Sequence, residues 1–165
     1  PNGFKIKLLS TSQYAFHQQT ATVIAAELQK VGITVDLDLP DWATRLDKNL
    51  KADYDLLVIG TAGDINDPDF LSDLYKSGSQ RLNNAPGFAD KQIDDLLEEG
   101  RTTIDPAKRA DVYKTLQKRA LDLSPITYLT WREQAYAARK NVQGFAPMPG
   151  FLNFQTGLML ERVRK

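Results

Sequence analysis

The sequence predicts an α/β fold with a mostly parallel sheet and flanking helices. Three observations carry that expectation: a period-two apolar pattern in FKIKLLS, a helical period of three to four after it, and the nearly continuous apolar run YDLLVIG. In the first, Phe4, Ile6 and Leu8 alternate with Lys5 and Lys7, a strand buried on one face, and Ser10-Thr11-Ser12 ends it. From about Tyr14 to Val31, Ala21, Ile24, Leu28 and Val31 recur at three or four, which predicts a helix, with Gly32 placed as a left-handed C-cap. ITVDLDL then alternates as a second strand and Pro40 stops it. Asp41 can cap a short helix whose face is Trp42, Leu46 and Leu50. YDLLVIG reads as a strand covered on both faces, as in the middle of a parallel sheet. The order is βαβαβ, and the near-universal right-handed crossover between parallel strands packs the helices on the sheet.

Beyond Phe70 the pattern predicts a short helix, the polar loop KSGSQRLNNAPG and two amphipathic helices. The first of these carries Ile93, Leu96, Leu97 and Ile104. The second carries Tyr113, Leu116, Ala120 and Leu123 behind the start signal Asp105-Pro106. PITYLTWREQAYAAR reads as one or two returning strands. The stretch NVQGFAPMPGFLNFQTGLMLERVRK, with Gly144, Pro147, Pro149 and Gly150 in quick succession, has no helical period and reads as a crossing segment.

Composition narrows the function. With 165 residues and 42% hydrophobic content, the chain can bury a core. Its 21 Lys+Arg balance 21 Asp+Glu, so no long-range field favours nucleic acid or an anionic membrane surface. The absence of cysteine removes a thiol nucleophile and thiolate metal sites. No apolar run approaches the roughly eighteen residues of a membrane span. The start Pro1-Asn2-Gly3 suggests a processed chain or an excised piece of a longer one.

Chemistry concentrates in GTAGDINDPDF, where three carboxylates fall within six residues at the end of the third strand. Asp64-x-Asn66 opens like a calcium loop, but the fifth, sixth and twelfth positions are Pro68, Asp69 and Tyr75, so no metal is expected. Neither a phosphate loop nor a nucleophile elbow is present, and His17, the only histidine, has its simplest role in solvent or in helix packing. Asp67 precedes Pro68 and is placed to cap a helix from Pro68 to about Tyr75. Asp69 falls in that helix's first turn, where a negative charge is favoured. Asp64 has no such local role. It sits among the small residues Ala62 and Gly63, at the edge where parallel sheets place ligands, either as a receiver of an ammonium or other hydrogen-donating group or as a solvated loop residue.

Several segments in fixed order, VGITVDL with Asp41-Trp42, Gly60 to Gly63-Asp64-x-x-Asp67-Pro68, DPAKRADVYK and RKNVQGF, resemble the C-terminal lobe of the large extracytoplasmic solute-binding proteins of peptide and nickel ABC importers, family 5. The resemblance runs over essentially the whole chain. It implies one lobe of a two-lobed type II periplasmic binding fold, with residues 1–141 as the C-terminal ligand-binding lobe and 142–165 as the crossing segment toward the other lobe. It also implies a periplasmic or extracytoplasmic bacterial location, the N-terminal lobe of the same protein and an ABC permease as partners, no cofactor, and solute binding without catalysis.

Through the resemblance, Asp64 takes the role of holding a ligand's ammonium group. Thr61, Ala62, Gly63, Asn83 and Trp131 fall in ligand-facing regions. Two departures matter: Thr61 stands where peptide binders often carry Trp, and Asn83-Asn84-Ala85-Pro86 stands where they often carry Asn-Tyr, with one extra residue. Both remove aromatic surface. The implied solute is a short peptide or another small amine-bearing or polar molecule, with the departures favouring the smaller and more polar end. Trp131, Trp42 and Tyr128 can equally be packing residues, a role stronger for Trp42. The competing class is a small stand-alone α/β hydrolase using Asp64 as general base, although no second titrating partner can be named.

Overall fold

A computed structural model describes residues 3–61, 67–79, 83–131, 135–146, 160–161 and 163–164. By its internal contacts the chain divides into two compact units. One is Pro1–Thr61 with Asp73–Asp94, and the other is Ala62–Ser72 with Asp95–Lys165.

The first unit is built on a three-stranded parallel sheet of β1 (Lys5–Leu9), β2 (Thr34–Asp38) and β3 (Leu56–Leu57), in the order β2-β1-β3. β1 is central: Leu8 pairs with Leu37 on one side and Leu56 on the other. Leu8 and Leu9 are fully buried. Helix α1 (Ala15–Lys30) lays Ala21 against Leu8 and Val58, with Ile24, Val35, Leu37 and Leu39 closing the cluster. Its end follows the sequence, since Gly32 sits at φ +84, a conformation glycine adopts without strain. Helix α2 (Trp42–Leu50) starts at the Asp41 cap, whose carboxylate accepts from the Thr44 N–H.

Three expectations for this unit need correction. YDLLVIG pairs only at Leu56–Leu57 and lies at the edge of the sheet among the described residues, not in its middle, and Leu56 is substantially exposed. The lysines of β1 masked its central position: Lys5 and Lys7 point to the polar side, where they pair with Asp36 and Asp53. On α2 the buried residues are Arg45 and Asn49, while Leu50 is 66% exposed. Val31 is likewise exposed, because the helix has ended there.

In the second unit, Asp67 caps the turn Pro68–Phe70 by accepting from Asp69 N–H at 2.8 Å, as its place before proline predicts. That turn leads into α3 (Leu71–Tyr75), whose last residues belong to the first unit. Helix α4 (Lys91–Thr102) starts in the first unit and continues in the second, with Ile93 and Leu97 buried. Ile104 lies beyond its end and is exposed rather than part of its face. Helix α5 (Pro106–Leu123) begins at Asp105, which caps Lys108 N–H, and buries Val112, Tyr113, Leu116 and Ala120. It ends at Ser124 in the left-handed region, and Leu123 is exposed.

The returning strands expected in 125–139 are not formed among the described residues, where Tyr128, Leu129 and Trp131 are exposed. β-rich composition makes a strand only when a ladder partner is in register, and among the described residues the pairing in this part of the chain is one antiparallel bridge, Gln143 with Arg164.

The burial pattern makes a direct prediction. Leu8→Ala should lower unfolding free energy by about 2–5 kcal/mol in urea denaturation. Leu50→Ala should leave it within about 0.5 kcal/mol, although the sequence pattern alone ranks both as core.

Candidate functional site

Parallel strands that end level place the following residues along one edge, and here that edge carries Ser10 and Thr11 after β1, Pro40 after β2, and Gly60 and Thr61 after β3. Short polar contacts fix it. Thr11 Oγ1 donates to Pro40 O at 3.0 Å, Ser10 N donates to Asp38 O at 2.9 Å, and Trp42 N donates to Gln13 Oε1 at 2.8 Å, tying α2 to the segment after β1. A side chain at Gly60 would put its Cβ 2.8 Å from His17 Nε2, so glycine is needed for the imidazole to lie over the strand end.

Two of the sequence-predicted site residues meet here. Asn83 Nδ2 donates to Thr61 Oγ1 at 2.9 Å. The loop bearing Asn83 is held by its neighbour Asn84, which is buried and donates to the carbonyls of Leu74 and Lys76, both at 3.1 Å. The extra polar residue in Asn83-Asn84 thus divides the work, Asn84 anchoring the loop and Asn83 reaching the strand end. Ala62, Gly63 and Asp64 lie outside the described residues. Trp131 belongs to the second unit and is 95% exposed.

The same edge carries a group that sequence reasoning passed over. Arg45 is fully buried, and its Nε and both terminal nitrogens have no hydrogen-bond partner among the described residues. Its Cζ lies 4.8 Å from the Trp42 ring centre. Trp42 stands edge-on to Tyr14 at 5.5 Å, and Tyr14 meets His17 at 5.5 Å. His17 Nδ1 and Ser10 Oγ are also buried without partners. Burial pushes the His17 pKa below its ordinary value, and the nearby Arg45 charge pushes the same way, so the ring is neutral at pH 7. Burial also lowers the pKa of Arg45, but a guanidinium remains cationic at neutral pH.

Among the described residues, no acid is paired with this charge. Asp36, Asp38, Asp47 and Asp53 pair with Lys5, Lys48, Lys51 and Lys7, Asp41 caps α2, and Asp55 accepts from the Lys7 N–H. A cation–π contact contributes about 2 kcal/mol or somewhat more when desolvated. Burying a lone cation costs several kcal/mol. The stacking on Trp42 therefore orients the guanidinium without compensating it. A sequence signal existed: Trp42, Arg45 and Asn49 are spaced three and four apart and share one helix face, a stripe set aside in favour of Trp42, Leu46 and Leu50.

The other acids of GTAGDINDPDF are engaged in structure. In the second unit, Arg109 donates to Asp67 Oδ1 at 2.7 Å and to Gly100 O at 2.7 Å, and it stacks on Tyr113. Arg101 donates to both oxygens of Asp69, at 3.2 and 3.3 Å. The Arg109 bond, followed by the Asp69 amide, holds the Asp67 carboxyl below its usual range. A shallow depression of about 510 Å³, lined among others by Pro68, Ile104, Arg109 and Tyr113, adjoins this network, but its arginine is already paired. Among the described residues, no group of three or more His, Asp or Glu is placed to hold a metal ion, and no helix is long and apolar enough to cross a membrane.

Residues 1–83 match the family model of bacterial extracellular solute-binding proteins, family 5, middle part. The chain is 30% identical over 131 residues to Di/tripeptide-binding protein 4 of Pseudomonas aeruginosa, covering 78% of this chain and 25% of that protein. Among solved structures, it superposes on the PBP AgaA of A. tumefaciens R10 in complex with agropinic acid with TM-score 0.85 and 53% identity, covering 99% of this chain and 34% of AgaA. A putative peptide binding protein AppA of Clostridium difficile gives TM-score 0.76 and 25% identity over 86% of this chain and 29% of its own. The chain spans about a quarter of the length of the curated relatives it matches. The structural neighbours have the type II periplasmic binding fold, with which the small parallel sheet and its helices agree.

Because His17 is the sole histidine, its imidazole resonances can be followed without ambiguity. They should titrate with a midpoint below 6.5, and Arg45→Met should raise that midpoint by removing the neighbouring positive charge. With the folded value depressed, His17 stability is fully present above about pH 6.5 and is lost as pH falls toward the lowered midpoint. Exchanging His17 for Gln should flatten that part of the stability profile in denaturant melts at stepped pH.

Proposed function

We propose, from the premise that this chain belongs to the bacterial extracellular solute-binding proteins of family 5, that it is the C-terminal lobe of a two-lobed extracytoplasmic receptor capturing a small polar solute for ABC-type import. The solute sits at the C-terminal edge of the β2-β1-β3 sheet and is enclosed when the N-terminal lobe closes over it. The closed form docks on a membrane permease, which supplies the transport step. The hydrolase alternative draws no support from a family of solute-binding proteins, and Asp64 is assigned to binding.

The observation that carries the solute class is the 53% identity, over nearly the whole chain, to AgaA in its complex with agropinic acid. It favours a small acid over a peptide. The departures at Thr61 and at Asn83-Asn84 favour it too, since both trade aromatic surface for hydrogen-bonding groups, and Thr61 is joined to Asn83. A second reading, a di- or tripeptide, rests on the likeness to Di/tripeptide-binding protein 4. In either reading Asp64 receives an ammonium or hydroxyl donor of the solute.

Titration calorimetry on the full-length receptor with agropinic acid and with a set of di- and tripeptides tests this. Saturable binding of one class is expected, and binding of neither would overturn the reading. For a solute carrying an amine, Asp64→Asn should weaken binding by about 2 kcal/mol or more, as for a lost buried charge pair. Unchanged affinity would remove Asp64 from the site.

A further inference from the structure

We infer that Thr61 and Asn83, joined beyond the end of β3, form a subsite that reads a hydroxyl group of the solute. The inference rests on the solute-binding reading and deepens it by naming a functional group the solute carries and the residues that select for it.

The pair is accessible and held from both sides. Thr61 is exposed and Asn83 half-buried, and both belong to the first unit. On the side of Thr61, Val58 N donates to Leu9 O at 3.0 Å, carrying the ladder past β3 to Gly60, where the His17 ring packs. On the side of Asn83, Asn84 donates to Leu74 O and Lys76 O. The ends of that loop are closed as well, since Ser77 N donates to Asp94 Oδ1 at 2.9 Å and Asp90 N donates to Ser77 Oγ at 3.1 Å. Two supported segments thus present two polar groups already in contact, so little ordering remains to be done on binding.

What the pair offers follows from its hydrogen-bonding inventory. Asn83 Nδ2 donates to Thr61 Oγ1 at 2.9 Å, and neither side chain makes another hydrogen bond among the described residues. Thr61 therefore keeps its O–H as a donor, and Asn83 keeps Oδ1 as an acceptor. With the amide turned the other way, Thr61 Oγ1 would be the acceptor and the Asn83 N–H groups the donors, so the pair presents one of each in both cases. A hydroxyl donates and accepts through a single atom and completes both. A carboxylate or ether only accepts and an ammonium only donates, so each would leave one protein group unpaired once the closing lobe excludes water. A trans peptide group has both functions, but its N–H and C=O point opposite ways. A primary carboxamide, with N–H and C=O side by side, is the nearest competitor.

Titration calorimetry on the full-length receptor compares probes that differ in one group: agropinic acid with its deoxy analogues, and Ala-Ser and Ser-Ala with Ala-Ala, Ala-Asn and Asn-Ala. At least one hydroxyl-bearing probe should bind about 10-fold or more tightly than its partner lacking that hydroxyl, as for an unpaired group left in a closed site. Thr61→Val, which keeps the shape and removes the hydroxyl, and Asn83→Leu should each bring that ratio within about twofold of one. Thr61→Ser should retain the preference, and the Thr61 variants decide the question if Asn83→Leu does not fold. Equal binding with and without the hydroxyl, tighter binding of the carboxamide than of the hydroxyl probe, or a preference that survives Thr61→Val overturns the subsite while leaving solute binding intact. Failure of the wild type to bind any of these probes would instead overturn the solute-binding reading, and the subsite with it.

Discussion

The first unit depends on β1 occupying the centre of a parallel sheet. Leu8 and Leu9 are fully buried and pair on both sides, so β2 and β3 take their level from β1. Parallel pairing then brings three chain reversals to one edge, where Ser10, Pro40 and Gly60 stand. Each reversal is shaped for close approach: Pro40 O accepts from the segment after β1, and Gly60 leaves room for the His17 ring. A level edge of close-packed turns is therefore a by-product of how the sheet is held together.

That edge also holds a buried arginine. Lysines and aspartates between Lys5 and Asp53 pair on the outer faces of the first unit, whereas Arg45 stacks on the Trp42 ring with no hydrogen-bond partner among the described residues. Exposed pairs stabilise little because water screens them. Burying a cation without an acid beside it is different, since it costs several kcal/mol.

Much of the framework was legible in the sequence because the signals are local. The first strand, the Asp41 and Asp105 caps, the Gly32 stop and the Asp67-Pro68 start each depend on residues within one turn, and all appear in the structure, although the one buried face read from FKIKLLS does not, since Phe4 is exposed and Leu9 is buried beside Leu8. The structural engagement of Asp67 was legible for the same reason. What was missed depends on partners distant in sequence. The run YDLLVIG looked central because of its apolar content, but ladder partners decide rank within a sheet. The face of α2 was misassigned because leucine spacing outweighed a buried arginine whose surroundings, Tyr14 and His17, come from another helix and its approach. The join between Thr61 and Asn83 spans 22 residues and had no pattern to announce it.

Solute binding at the β2-β1-β3 strand ends is tested most directly by a crystal structure of the full-length receptor with its solute bound. The solute is expected against that edge, with Thr61 facing it. A solute bound away from that edge would contradict this placement.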